Sequence, residues 1–145
     1  MLLAALLSTT LAAAAPGASS IGDPLFPGLG NGGYDVQHYT LSLRYPSAKP
    51  VQQVRAHVTI DALAAQDLSR FNLDFRGESV ASVRVGGANA RYRRQGKELI
   101  VTPAQPIAAG ARFTVGVRYR SGPKRGHDRA WIATPEGSVA AAQPN

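Results

Sequence analysis

The feature that most constrains this chain is a strict alternation of apolar and polar side chains. Phe113, Val115, Val117 and Tyr119 alternate with Thr114, Gly116, Arg118 and Arg120. A period of two puts all members of one set on one face of a β-strand and is incompatible with an amphipathic helix. The pattern recurs. Tyr39, Leu41, Leu43 and Tyr45 alternate with His38, Thr40, Ser42 and Arg44, predicting a strand over 34–45 with the first set half-buried. Val54, Ala56, Val58 and Ile60 alternate with Arg55, His57, Thr59 and Asp61, and Phe71, Leu73 and Phe75 with Asn72 and Asp74. Val80, Val83 and Val85 break parity, which predicts a bulged strand ending at Gly86-Gly87. Residues 90–94 and 98–102 flank Gln95-Gly96, a hairpin turn in which Gly supplies the positive φ. Residues 62–70 fit either a helical turn or a continuing strand.

About seven short strands separated by turns predict an all-β fold, an antiparallel β-sandwich or saddle-like sheet domain. The chain has 145 residues. That suffices for one core and not two. Residues 1–20, MLLAALLSTTLAAAAPGASS, carry no charge, and their apolar run is too short to span a bilayer. Small residues around Ala15-Pro16 resemble a cleavage site, so 1–20 is expected to be a signal peptide and the protein secreted, periplasmic or extracellular. Lys and Arg are absent before the apolar run, so either the leader is a weak one or the start lies upstream. No later segment has the length and apolarity of a membrane span.

Residues 21–33 form a Gly- and Pro-rich lead-in. It contains Gly28-x-Gly30-x-x-Gly33, formally a dinucleotide fingerprint. That motif needs a strand before it and a helix after it. Here prolines precede it and a strand pattern follows, so it is set aside. Residues 34–121 are the β domain. Residues 122–145 hold three Pro and three Gly, read as a loop with no closing strand, and leave the domain incomplete at its C-terminus.

The chemistry on offer is sparse. The chain has no Cys, which excludes disulfides, thiolate metal sites and thiol catalysis. His38 and His57 sit on polar strand faces and, with His127, show no metal-ligand spacing. No nucleophile elbow and no phosphate-binding Gly loop is present. No catalytic, cofactor-binding or metal-binding residue is predicted. The net charge is +7, and residues 91–125 hold nine basic residues against Glu98 alone. One reading is a basic face for an anionic partner. The other is a solvated sheet face, because Arg outnumbers Lys 13 to 3 and Ala fills 24 positions, a composition of GC-rich coding. Tyr92 is the single aromatic in the first basic cluster, which argues against nucleic acid.

The segments GDPLFPGLGNGGYDVQHYTLSLRY (22–45) and AQDLSRFNLDF (65–75), followed by VRVGG, GKELIVTP and VRYRSGP, resemble the start of secreted bacterial zinc aminopeptidases of the aminopeptidase N family. The resemblance covers roughly residues 22–135. It implies the family's N-terminal β domain, truncated before the thermolysin-like catalytic domain, which would normally be its partner in the same chain. Peptide substrates would be met only through that domain. The family's zinc is held by H-E-x-x-H, absent here, and its exopeptidase motif needs a Met where this chain has only Met1. The resemblance therefore carries no site residue and no cofactor onto this chain, which is expected to be inactive alone. Family members continue past Trp131–Pro135 into further strands, so the chain is expected to leave apolar surface uncovered and to be prone to associate. The alternative is a stand-alone exported β-sandwich module that binds an anionic partner through residues 91–125.

Overall fold

The computed structural model describes residues 13–28, 30–44 and 54–121, together with the backbone of 131–134 and 137–140. Among the described residues eleven strands are formed: β1 Ala15–Pro16, β2 Tyr34–Arg44, β3 Val54–Ala64, β4 Leu68–Asp74, β5 Ser79–Val85, β6 Ala88–Asn89, β7 Arg91–Gln95, β8 Glu98–Thr102, β9 Arg112–Ser121, β10 Trp131–Thr134 and β11 Gly137–Ala140. They build a five-stranded sheet in the order β2-β3-β9-β5-β6, a four-stranded sheet in the order β1-β4-β8-β7, and the hairpin β10-β11. Every pairing is antiparallel except β1 with β4. The domain is all-β, as the alternation requires.

The core is where the inward rows of the two sheets meet. Ile60, Val115, Val117, Val83 and Val85 come from the five-stranded sheet. Leu68, Phe71, Leu73, Leu99 and Val101 face them from the other. Phe71 is fully buried, with its ring 5.6 Å from Tyr34 and 5.5 Å from Phe113 in edge-on and tilted contacts. Such geometry aligns ring edges with ring faces and adds to the burial itself. Ile107 closes the bottom: its N–H and C=O both bond to Leu68, at 3.0 and 2.8 Å, tying the 103–110 loop into the core.

The expected bulge is present as a register shift between Val80 and Ser82. Gly96 turns the β7-β8 hairpin at φ +60°. The ambiguous stretch resolves as strand: β3 runs on to Ala64, and after a turn β4 begins at Leu68. Asn72, on the polar side of the alternation, is only 8% exposed, although Arg70 and Asp74 on the same face of β4 are exposed. Ile100, its cross-strand neighbour, is buried with it.

Two further expectations change. Tyr39, Leu41 and Leu43 are not half-buried. They are 58%, 56% and 42% exposed. β2 is the edge strand of its sheet, so among the described residues the row has a paired neighbour on one side only, where Ile60 and Ala56 are buried. The tail read as loop contains β10 and β11, paired from Trp131↔Ala140 to Thr134↔Gly137. Of the expected leader, residues 1–12 lie outside the described residues, whereas Ala15–Pro16 run parallel to β4. The amide of Ala15 bonds Asp67 O (2.9 Å) and that of Gly17 bonds Arg70 O (2.8 Å). Gly33 makes this strap fit. Its φ is +95°, and a Cβ there would stand 2.8 Å from Leu68 Cδ2 and 3.0 Å from Gly17 Cα.

Candidate functional site

Beside β2, residues of both sheets line a cleft of about 500 Å³. Its floor is Ile60, Leu73, Leu99 and Val117. Its rim is Tyr34, Tyr39, Asp74 and the lead-in residues Ile21 and Asn31. The concave, largely apolar shape with a few polar groups is the form of a ligand pocket.

The polar groups at its mouth form one cluster. Asp74 and Glu98 are directly paired across β4 and β8. Burial raises the Glu98 carboxyl above its ordinary range. The charge of Asp74 and a hydrogen bond to the Asp74 side chain push it in the same direction. Asn31 spans the pair: its amide nitrogen donates to Glu98 Oε2 (3.1 Å) and its oxygen accepts from the Asp74 N–H (3.3 Å). Burial raises the Tyr34 hydroxyl strongly, with smaller contributions from Tyr39, Asp74 and Glu98. That hydroxyl donates to Asn72 O at 2.7 Å. Tyr39 is raised by burial and then by Asp74. The cluster thus clips the lead-in to the sheet. It contains no base–nucleophile pair of the kind that would start acyl transfer.

The histidines do not converge. His38 sits opposite Asp61, and His57 opposite Ser42, four residues further along the ladder. At about 3.3 Å per residue that separates them by about 13 Å. His127 lies outside the described residues. Among the described residues no three of His, Asp and Glu are grouped to hold a metal ion. A catalytic zinc needs three such ligands and an open position, so the residues present do not fit it. Gly30 and Gly33 have positive φ in an irregular segment that leads into β2 rather than a helix, so no dinucleotide loop forms. The basic run 91–125 is split. Arg91, Arg93 and Arg94 belong to β7 of the four-stranded sheet, and Arg112, Arg118 and Arg120 to β9 of the five-stranded one. Arg94 is spent on Phe75, its guanidinium 5.0 Å from the ring centroid. Lys124 and Arg125 lie outside the described residues. Sequence reasoning missed the Asn31–Asp74–Glu98 clip, because only the β4-β8 register brings these residues together.

An all-β two-sheet domain with an apolar cleft and, among the described residues, no group of metal ligands is the class defined so far. Neither a family model nor a curated protein sequence matches the chain. Solved structures do. The chain is similar to an M1 zinc metallopeptidase from Deinococcus radiodurans, with 33% identity and a TM-score of 0.63 over 72% of this chain and 24% of that one. It is also similar to a two-domain M1 zinc metallopeptidase variant bound to L-arginine (30% identity, TM-score 0.70, 86% and 30% covered). A third similar structure is a variant of a two-domain M1 zinc metallopeptidase bound to L-tryptophan (30% identity, TM-score 0.68, 81% and 28% covered). The chain carries the N-terminal β domain of the M1 zinc metallopeptidase family. It spans 24–30% of the length of these relatives.

Proposed function

We propose that this chain is a non-catalytic β domain of an exported zinc aminopeptidase, acting as the platform on which a catalytic domain sits. The observation that carries the reading is the match itself: 86% of the chain corresponds to 30% of a two-domain zinc peptidase. The exposed row on β2 supports it. Tyr39, Leu41 and Leu43 form an apolar row on a strand whose inner neighbours are buried, and an uncovered row of this kind marks an interface. In this reading the zinc, the activated water and the grip on the substrate amino group belong to the catalytic domain. The β domain supplies a rigid wall. Export rests on the apolar run of residues 2–15.

The test is to follow the native product with an antibody raised against residues 34–121. Aminopeptidase activity that co-purifies with the antigen, and that a zinc chelator abolishes, is the expected result. Antigen that elutes without peptidase activity, from culture fluid and from cells alike, overturns the reading.

A further inference from the structure

The outer face of the five-stranded sheet carries a feature that a structural platform does not need. Arg44, Arg55 and Arg120 stand directly opposite one another across β2, β3 and β9. In the next row Arg118 is opposite His57, and His57 is opposite Ser42. Strands are spaced at about 4.8 Å, and alternate residues along a strand at about 6.7 Å. Four guanidinium stems therefore rise from a patch about 10 Å by 7 Å. They line a depression of about 480 Å³ with no carboxylate among its described lining residues. All four arginines and His57 are exposed. The acid on this face of β3, Asp61, lies two rows beyond His57 and accepts a hydrogen bond from Thr114 Oγ1 (3.0 Å).

Like charges placed directly opposite across a ladder are destabilising. A row of three arginines with a fourth behind it is therefore a cost to the fold, and a bound anion removes that cost. Guanidinium groups pair with phosphate oxygens by two parallel hydrogen bonds, and that geometry is lost when the anion is a diffuse cloud of counterions. The charge density of the patch sets the class of ligand. Carboxylates on an extended acidic peptide carry one charge each at the strand repeat, whereas adjoining phosphoryl groups place several charges within the width of the patch. The outward residues of these rows are Ser42, Arg44, Arg55, His57, Arg118 and Arg120, and Tyr119 is the one large aromatic among the residues lining the depression, where stacking a run of bases needs several.

We propose that this Arg44–Arg55–Arg118–Arg120 patch is a binding site for a soluble oligophosphate, with Ser42 and His57 as additional hydrogen-bonding groups. The site is distinct from the cleft beside β2 and is independent of the peptidase reading. It also differs from the basic face expected over residues 91–125, because half of it comes from β2 and β3.

The test is calorimetric titration of the full chain with tripolyphosphate, with orthophosphate as the monovalent-site comparison. Saturable tripolyphosphate binding, tighter than orthophosphate and weakened by added salt, is expected. The Arg55→Gln/Arg120→Gln variant should lose about tenfold in affinity for each guanidinium removed, the size of one charge-assisted hydrogen bond. Arg91→Gln/Arg93→Gln removes the same net charge from the other sheet and should bind like the parent chain. Circular dichroism establishes that both variants keep the parent's fold. Equal weakening in the two variants would reduce the effect to net charge and overturn the proposal. So would the absence of saturable binding in dilute buffer. Capture by phosphatidylglycerol vesicles without any tripolyphosphate response would overturn it as well, since the face would then be a lipid-docking surface.

Discussion

Phe71→Ala separates a packed two-sheet core from a loosely collapsed β-rich chain. The Phe71 side chain is fully buried between the sheets and touches the rings of Tyr34 and Phe113 at 5.6 and 5.5 Å. Truncating a buried Phe to Ala costs about 3–5 kcal/mol through lost transfer energy and the cavity left behind. Each edge-on aromatic pair adds about 0.5–1.5 kcal/mol beyond burial, which places Phe71→Ala toward the upper end of that range. Tyr39→Ala is the matched control: a ring of similar size on β2, 58% exposed, expected to cost under about 1 kcal/mol. Since domains of this size are stable by about 5–15 kcal/mol, Phe71→Ala should move the urea midpoint by a large fraction of its value. The assay is urea unfolding followed by far-UV circular dichroism at low protein concentration. Equal losses in the two variants, or a loss under about 1 kcal/mol for Phe71→Ala, would refute a core organised around this ring.

Two other outcomes follow from the geometry. Glu98 has a raised folded pKa, so the native state holds its proton after the unfolded state has released it, and stability must fall as pH rises from the ordinary carboxylate range through that raised value. Glu98→Gln should flatten this decline and stabilise the protein at neutral pH, as read from midpoints between pH 4 and 8; an unchanged slope would refute a raised Glu98 carboxyl. Gly33→Ala forces a left-handed residue to carry a Cβ 2.8 Å from Leu68 Cδ2, and should cost about 1–3 kcal/mol while loosening the strap. Gly86→Ala, with φ +56° and nothing within 4 Å of the added Cβ, should cost less, and limited proteolysis of the two variants should nick the 17–33 segment only in the first.

What was legible in the sequence was local. Alternation placed β9 within a residue of its observed ends, the broken parity of Val80, Val83 and Val85 located the bulge, and Gln95-Gly96 located the hairpin. Each of these signals comes from neighbours in the chain. What depends on pairing between distant strands was not legible. The alternation at Tyr39, Leu41 and Leu43 is as clean as that of β9, yet β2 is an edge strand and nothing among the described residues covers it. The basic run 91–125 looked like one surface and is divided between two sheets. The arginine patch draws on β2, β3 and β9, which no spacing rule connects. Ala15–Pro16 carry no strand signal of their own and are ordered by the edge of β4.

The edge position of β2 has a consequence for how the chain meets others. A sheet ends safely when its last strand is short, kinked or crossed by charge. β2 has one such device, the register shift between Val36 and His38. Beyond it the Tyr39–Arg44 stretch pairs regularly with β3 on one side, while no strand among the described residues pairs with its other side. That stretch is a template of fixed length and direction. It would accept an extended peptide or a second β2 by strand addition, and only Arg44 at its far end places charge in the way. Burying Tyr39, Leu41 and Leu43 beneath a neighbouring domain would therefore also cap an open ladder, and that ladder is exposed for as long as the chain is made and handled without its cover.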